Sequence, residues 1–172
     1  MALCFELVVN FGDNLDAAQR AALTHPTPTV LQAGRHRIPL HRPLLNAEGT
    51  YVELSILPMA VGFKVAIDGT LPKIRLTAAE LTELGHQLYR LLTKFDGYVA
   101  AKVGWDPEPL LDPADLQSDW TDELAEGSIH GLVLCDRLHA ELGLGDNYEE
   151  FQPGYRWVPY RGEKPGSLTA DD

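Results

Sequence analysis

Three features of the sequence predict an α+β domain, with a mostly antiparallel or mixed sheet and helices packed on it. Apolar, β-prone runs follow one another between residues 30 and 67 with no helical pattern between them, which argues against the βα alternation of a parallel sheet. Residues 77–95 repeat leucine at helical spacing, the mark of an amphipathic helix. A chain of 172 residues with 45% hydrophobic content is large enough to close one core without a metal or disulfide. Residues 1–161 are therefore read as a single domain and 162–172 as a flexible tail.

The elements follow in order. Residues 3–11 (LCFELVVNF) form an apolar first strand. Asp13 or Asn14 caps a short helix to Leu23, and Pro26 and Pro28 stop it. Residues 30–40 read as one strand, with Pro39 placing its end at a sheet edge. In residues 51–57, Val52, Leu54 and Ile56 alternate with Tyr51, Glu53 and Ser55, so these residues form a strand, and 62–67 pair with it as a hairpin. Thr77-Ala78-Ala79-Glu80 is a capping box. It opens a helix whose stripe of Leu81, Leu84, Leu88, Leu91, Leu92 and Phe95 ends before Gly97. A strand over 98–103 leads to a proline-rich loop at 106–113. Asp112 or Asp115 starts an acidic helix that runs toward Ala125 and breaks at Gly127. A strand over 129–134, a short helix to Leu142 capped by Asp136 and an aromatic, proline-punctuated segment at 151–160 complete the chain.

Charge divides the sequence. Residues 96–150 carry 14 Asp and Glu against only Lys102 and Arg137, whereas the rest of the chain is close to neutral. A field of one sign attracts oppositely charged partners and repels nucleic acid. The chain carries no recognisable nucleic-acid motif, and no run is long enough for a membrane span. Residues 1–9 lack a basic segment and contain Glu6, so no signal peptide is expected. Cys4 and Cys135 lie beside apolar runs and read as free thiols. A cytoplasmic location follows as the expectation.

Within the acidic segment, Asp112, Asp115, Asp119, Asp122, Glu123 and Glu126 cluster around Trp120, with Trp105 just upstream. Acidic side chains beside tryptophan suit a surface that captures a basic protein and holds it through aromatic anchors. The competing reading is a solvated helix face with core tryptophans. A basic stretch, Arg35, His36, Arg37, His41 and Arg42, could hold an anion, pair with the acidic segment or guard a sheet edge.

Signals for catalysis are sparse. The phosphate-loop, zinc-protease, serine-hydrolase and calcium-loop patterns are all absent. No metal or cofactor is expected. Cys135 at a strand-to-helix turn, with His139 one turn on and His130 on the preceding strand, is the one arrangement that could support covalent chemistry. The leading expectation is an acidic binding or inhibitory module, of the immunity-protein or antitoxin type, that engages a basic toxin or nuclease. The alternatives are a small cysteine-dependent enzyme and a homo-oligomeric structural subunit.

Overall fold

The first strand, β1 (Phe5–Asn10), is buried along its whole length, because both of its edges are paired and both of its faces are covered. A computed structural model describes residues 1–24 and 29–171. The prolines expected to stop the first helix, Pro26 and Pro28, lie outside the described residues. β1 pairs antiparallel with β5 (Glu53–Ile56) on one side and with β6 (Ala100–Trp105) on the other. β4 (Leu44–Asn46) lies beyond β5. On the other side, β7 (Val133–Cys135), β9 (Tyr155–Trp157) and β8 (Glu149–Gln152) follow β6. The result is a seven-stranded antiparallel sheet in the order β4-β5-β1-β6-β7-β9-β8. The expected α+β class is the one observed.

Alternation along the strands sorts their side chains into two cores. Phe5, Leu7 and Val9 of β1, with Ala101 and Val103 of β6, enter the first. It is covered by α1 (Leu15–Thr24), α2 (Ala78–Leu92) and a separate hairpin of β2 (Val30–Ala33) and β3 (His36–Pro39). Val8, Ala100 and Leu134 enter the second. That face is covered by α3 (Pro113–Asp119), α4 (Thr121–Glu126) and α5 (Asp136–Glu141) through Leu116, Leu124 and Leu138.

α2 forms as its sequence dictates. The Thr77 hydroxyl accepts from the Glu80 amide at 3.2 Å, and the Glu80 carboxylate accepts from the Thr77 amide at 2.9 Å. Leu81, Leu84, Leu88 and Leu92 are fully buried, each contributing about 1.5–3 kcal/mol. The helix ends at Leu92, earlier than the leucine stripe suggests, and tight turns carry the chain to Phe95. Gly85, in its middle, admits the Tyr160 hydroxyl where a Cβ would collide with it. Tyr89 joins three elements: its hydroxyl donates to the Gly131 carbonyl at 2.7 Å and accepts from the Val103 amide at 3.1 Å.

Several boundaries differ from expectation. Residues 30–40 are two strands, since Gly34 at φ +56° reverses the chain. Residues 62–67 are not a strand: both edges of β5 are occupied, and Ala60 and Lys64 adopt positive φ. This loop is organised by Asp68 instead. Its buried carboxylate accepts from the Ala60 amide and Lys73 and meets His41 Nε2 at 2.6 Å. His41 therefore leaves the basic stretch for the interior. The acidic helix is two helices, broken at Trp120, which turns inward. Residues 129–132 form a turn, so β7 begins at Val133, and β6 lies two residues later than expected. α5 is capped by the Cys135 sulfur, which accepts from the Leu138 amide at 3.4 Å, and not by Asp136. Along the stretch expected to be a flexible tail, the Glu163 amide donates to Thr82, the Ala170 amide donates to the Leu76 carbonyl, and Thr169 is buried.

Candidate functional site

The acidic segment begins where β6 ends. Asp106 turns the chain at φ +42°, a short 3-10 turn over Glu108–Leu110 follows, and Asp112 caps α3 by accepting from the Ala114 amide at 2.9 Å. Leu111, Leu116 and Leu124 are drawn into the second core, which leaves the polar positions of both helices facing outward. Asp115, Asp119, Asp122 and Glu126 are exposed, and Asp112 and Glu123 are half-buried. Residues 106–126 contain eight carboxylates and no lysine or arginine. Among the described residues, none of the eight forms an ion pair; nearby, Asp136 pairs with Arg156 and Arg137 with Glu141. Arg35, Arg37 and Arg42 are exposed on or beside the β2–β3 hairpin, across the sheet from α3 and α4. The basic stretch does not neutralise the acidic one.

The two tryptophans part company. Trp120 is half-buried at the α3–α4 junction, against the second core. Trp105 projects to the other face of the sheet, edge-on to Phe5 at 5.4 Å and beside Phe63 at 5.9 Å. Of the residues expected to form the partner-binding surface, Asp112, Asp115, Asp119, Trp120, Asp122, Glu123 and Glu126 lie on one side and Trp105 does not.

The sequence reading missed a cleft at the edge of this surface. Asn46, Thr50, Tyr51, Glu53, Glu108, Asp112 and Asp115 line a cavity of about 220 Å³. Glu6 of β1, 3% exposed, faces the same side as Glu53 and Ser55. Burial, followed by the neighbouring Glu108 carboxylate, pushes the Glu6 carboxyl up to about 9. Burial and Glu108 likewise raise Glu53, and burial with Glu53 and Asp112 raises the Tyr51 hydroxyl. Crowded acids of this kind favour a proton or a cation among them. The signal was present in the sequence: Glu6 is the one charged residue of a mostly apolar strand.

Cys4, Glu6 and Asp106 also converge, with donor atoms within 4.8 Å of one another. Burial, then Glu6 and Asp106, push the Cys4 thiol up to about 11, so this sulfur is a neutral thiol and a poor ligand near neutral pH.

The cysteine arrangement considered for catalysis is not assembled. The Cys135 sulfur caps α5. His139 lies edge-on to Tyr148 at 5.2 Å, with Nε2 3.3 Å from the Gly145 carbonyl. His130 lines a separate cavity with Glu126, Asn147, Glu149 and Arg161, and its buried Nδ1 has no hydrogen-bond partner among the described residues. Neither imidazole is hydrogen-bonded to the thiol. The aromatics of the 151–160 segment pack within the chain: Trp157 against Tyr89 and Phe151, and Tyr160 against Tyr89 and His86. No helix among the described residues is long and apolar enough to cross a membrane.

No family model, curated protein or solved structure matches this chain.

Proposed function

We propose that this protein is a binding module whose α3–α4 face captures a basic protein partner, and that its most concrete role is to inhibit a cationic toxin or nuclease. The observation that carries the reading is the absence of any internal counter-charge for the eight carboxylates of residues 106–126 among the described residues. Surface carboxylates without counter-charge add to the field that steers a cation inward, and they set on-rate and specificity more than lifetime. Trp120, half-buried among them, offers the aromatic surface on which a partner side chain can settle once water is excluded. The cleft of Tyr51, Glu53, Glu108 and Asp112 extends the same negative surface.

The test uses a variant carrying Asp115→Asn, Asp119→Asn, Asp122→Asn and Glu123→Gln. Wild type and variant serve as matched baits in native lysate at low and high salt, and any protein captured by the wild type is purified and mixed with each in stopped flow. The reading expects a basic partner whose association with the variant is slower by about 10-fold or more, with a flattened salt dependence. Equal association rates and equal salt slopes for the two baits would remove it.

A further inference from the structure

The cavity beside His130 holds charges of both signs that the fold leaves unpaired. Separate stretches of chain converge on it. Glu126 ends α4, His130 stands in the turn before β7, Asn147 and Glu149 lead into β8, and Val158 and Arg161 follow β9. Together they border about 430 Å³, a volume in the range of small-molecule sites. Gly127 permits the approach of these walls: at φ +67°, it lies so near Asn147 that an added Cβ would stand 2.9 Å from the Asn147 Cβ. The Asn147 amide nitrogen donates to the Ala125 and Glu126 carbonyls, at 3.3 Å each. That satisfies the end of α4 and leaves the Asn147 oxygen, an acceptor, for other partners.

His130 is held in one tautomer. Its Nδ1 is sealed from water and has no partner among the described residues. Buried N–H groups without an acceptor are rarer than buried acceptors without a donor, so the ring carries its proton on Nε2. A second proton would strand an N–H in the interior. Burial, followed by the charges of Arg161, Lys102 and Lys164, accordingly holds the imidazole below its ordinary range. Nε2 is not sealed in this way and has no protein acceptor among the described residues, which leaves its N–H for a bound molecule.

The cavity thus offers two donors, Arg161 and His130, and three acceptors, Glu126, Glu149 and Asn147. Arg161, Glu126 and Glu149 form no ion pair among the described residues. A simple cation placed here would meet Arg161, and a simple anion would meet both glutamates; a molecule bearing an ammonium and a carboxylate uses every group. We infer that this cavity binds a small zwitterion of the α-amino acid class. Arg161 and His130 take its carboxylate in charge-assisted hydrogen bonds, Glu126 and Glu149 take its ammonium, and Val158 supplies an apolar wall for its side chain. No protein partner is required, so the inference stands or falls independently of the function proposed above.

Thermal unfolding of the full chain with each proteinogenic L-amino acid in turn, at millimolar concentration, is the first test, and calorimetry then gives the affinity of the best. A molecule that binds only the folded state raises the melting temperature. At least one amino acid should do so. Its N-acetyl and carboxamide forms, each lacking one charge, should bind more weakly by about 10-fold or more. Arg161→Gln, and Glu126→Gln with Glu149→Gln, all at exposed positions, should weaken the parent amino acid to a similar extent, whereas Glu150→Gln, exposed and outside the cavity, should not. Nitrogen NMR of the free protein at neutral pH should find the His130 proton on Nε2, and that resonance should move when the amino acid is added. Failure of every amino acid to raise the melting temperature or give heat overturns the inference. So do blocked forms that bind as tightly as the parent, an affinity indifferent to both sets of substitutions, or a His130 proton on Nδ1.

Discussion

Removing the charge of Asp119 and Glu126 should make this protein more stable. Glu126 is the last residue of α4 and sits at the negative end of its dipole, at a cost of about 0.3–1 kcal/mol; Asp119 ends α3 but also precedes Trp120, the N-cap of α4, so its dipole cost is smaller. Asp119 lies four residues after Asp115, and Glu126 four after Asp122 and three after Glu123. Each like-charge pair adds about 0.2–0.5 kcal/mol of repulsion. Both side chains are exposed, so screening brings the combined gain of Asp119→Asn and Glu126→Gln to about 1–2 kcal/mol at low salt. For a chain of this length the melting temperature should rise by roughly 2–8 °C. Thermal unfolding followed by circular dichroism, at low and high salt, measures it, and the gain should shrink as salt is added. Asp112→Ala is the contrast: it removes the α3 cap and should cost about 1 kcal/mol. A double variant that melts below wild type, or a gain indifferent to salt, would refute the reasoning. Carboxylates kept where they weaken their own helices suggest selection for something other than stability.

Two further outcomes follow from the interior. Tyr89→Phe leaves the Val103 amide and the Gly131 carbonyl without their partner and should destabilise by about 1–3 kcal/mol, read from the denaturation midpoint at unchanged m-value. Cys4, whose thiol is pushed up to about 11, should resist iodoacetamide at neutral pH in the native protein and react once it is unfolded; rapid native labelling of Cys4, located by mass spectrometry, would contradict that environment.

Local chemistry was the readable part of the sequence. The Thr77–Glu80 box and the leucines behind it set α2 because every signal lies within a few residues. Asn14, one of two candidate caps, does accept from the Ala17 amide at 3.1 Å. Pairing was harder to read, because it depends on which strand edges are already filled. Residues 62–67 look like a strand, yet β5 has no free edge for them. β4, β8 and β9 are only three or four residues long and gain their order from neighbours remote in sequence. The charged surface was legible from composition, since a run of acids with no cations has nothing local to pair with. Its aromatic partner was half legible: Trp105 and Trp120 are near in sequence, but a strand's alternation sends Trp105 to the other side. Glu6 was read only as a residue out of place in a leader peptide, because its neighbours Ser55, Asp106 and Glu108 come from distant parts of the chain.

The β2–β3 hairpin and the α3–α4 pair lie on opposite flanks of one sheet, so the molecule has an electric axis running through its thickness. The axis is lopsided: the net charge of −11 sets the sign of the far field, so copies of the protein repel one another in dilute buffer while the carboxylate flank draws cations. Salt at physiological strength shortens the reach of that field to about 8 Å.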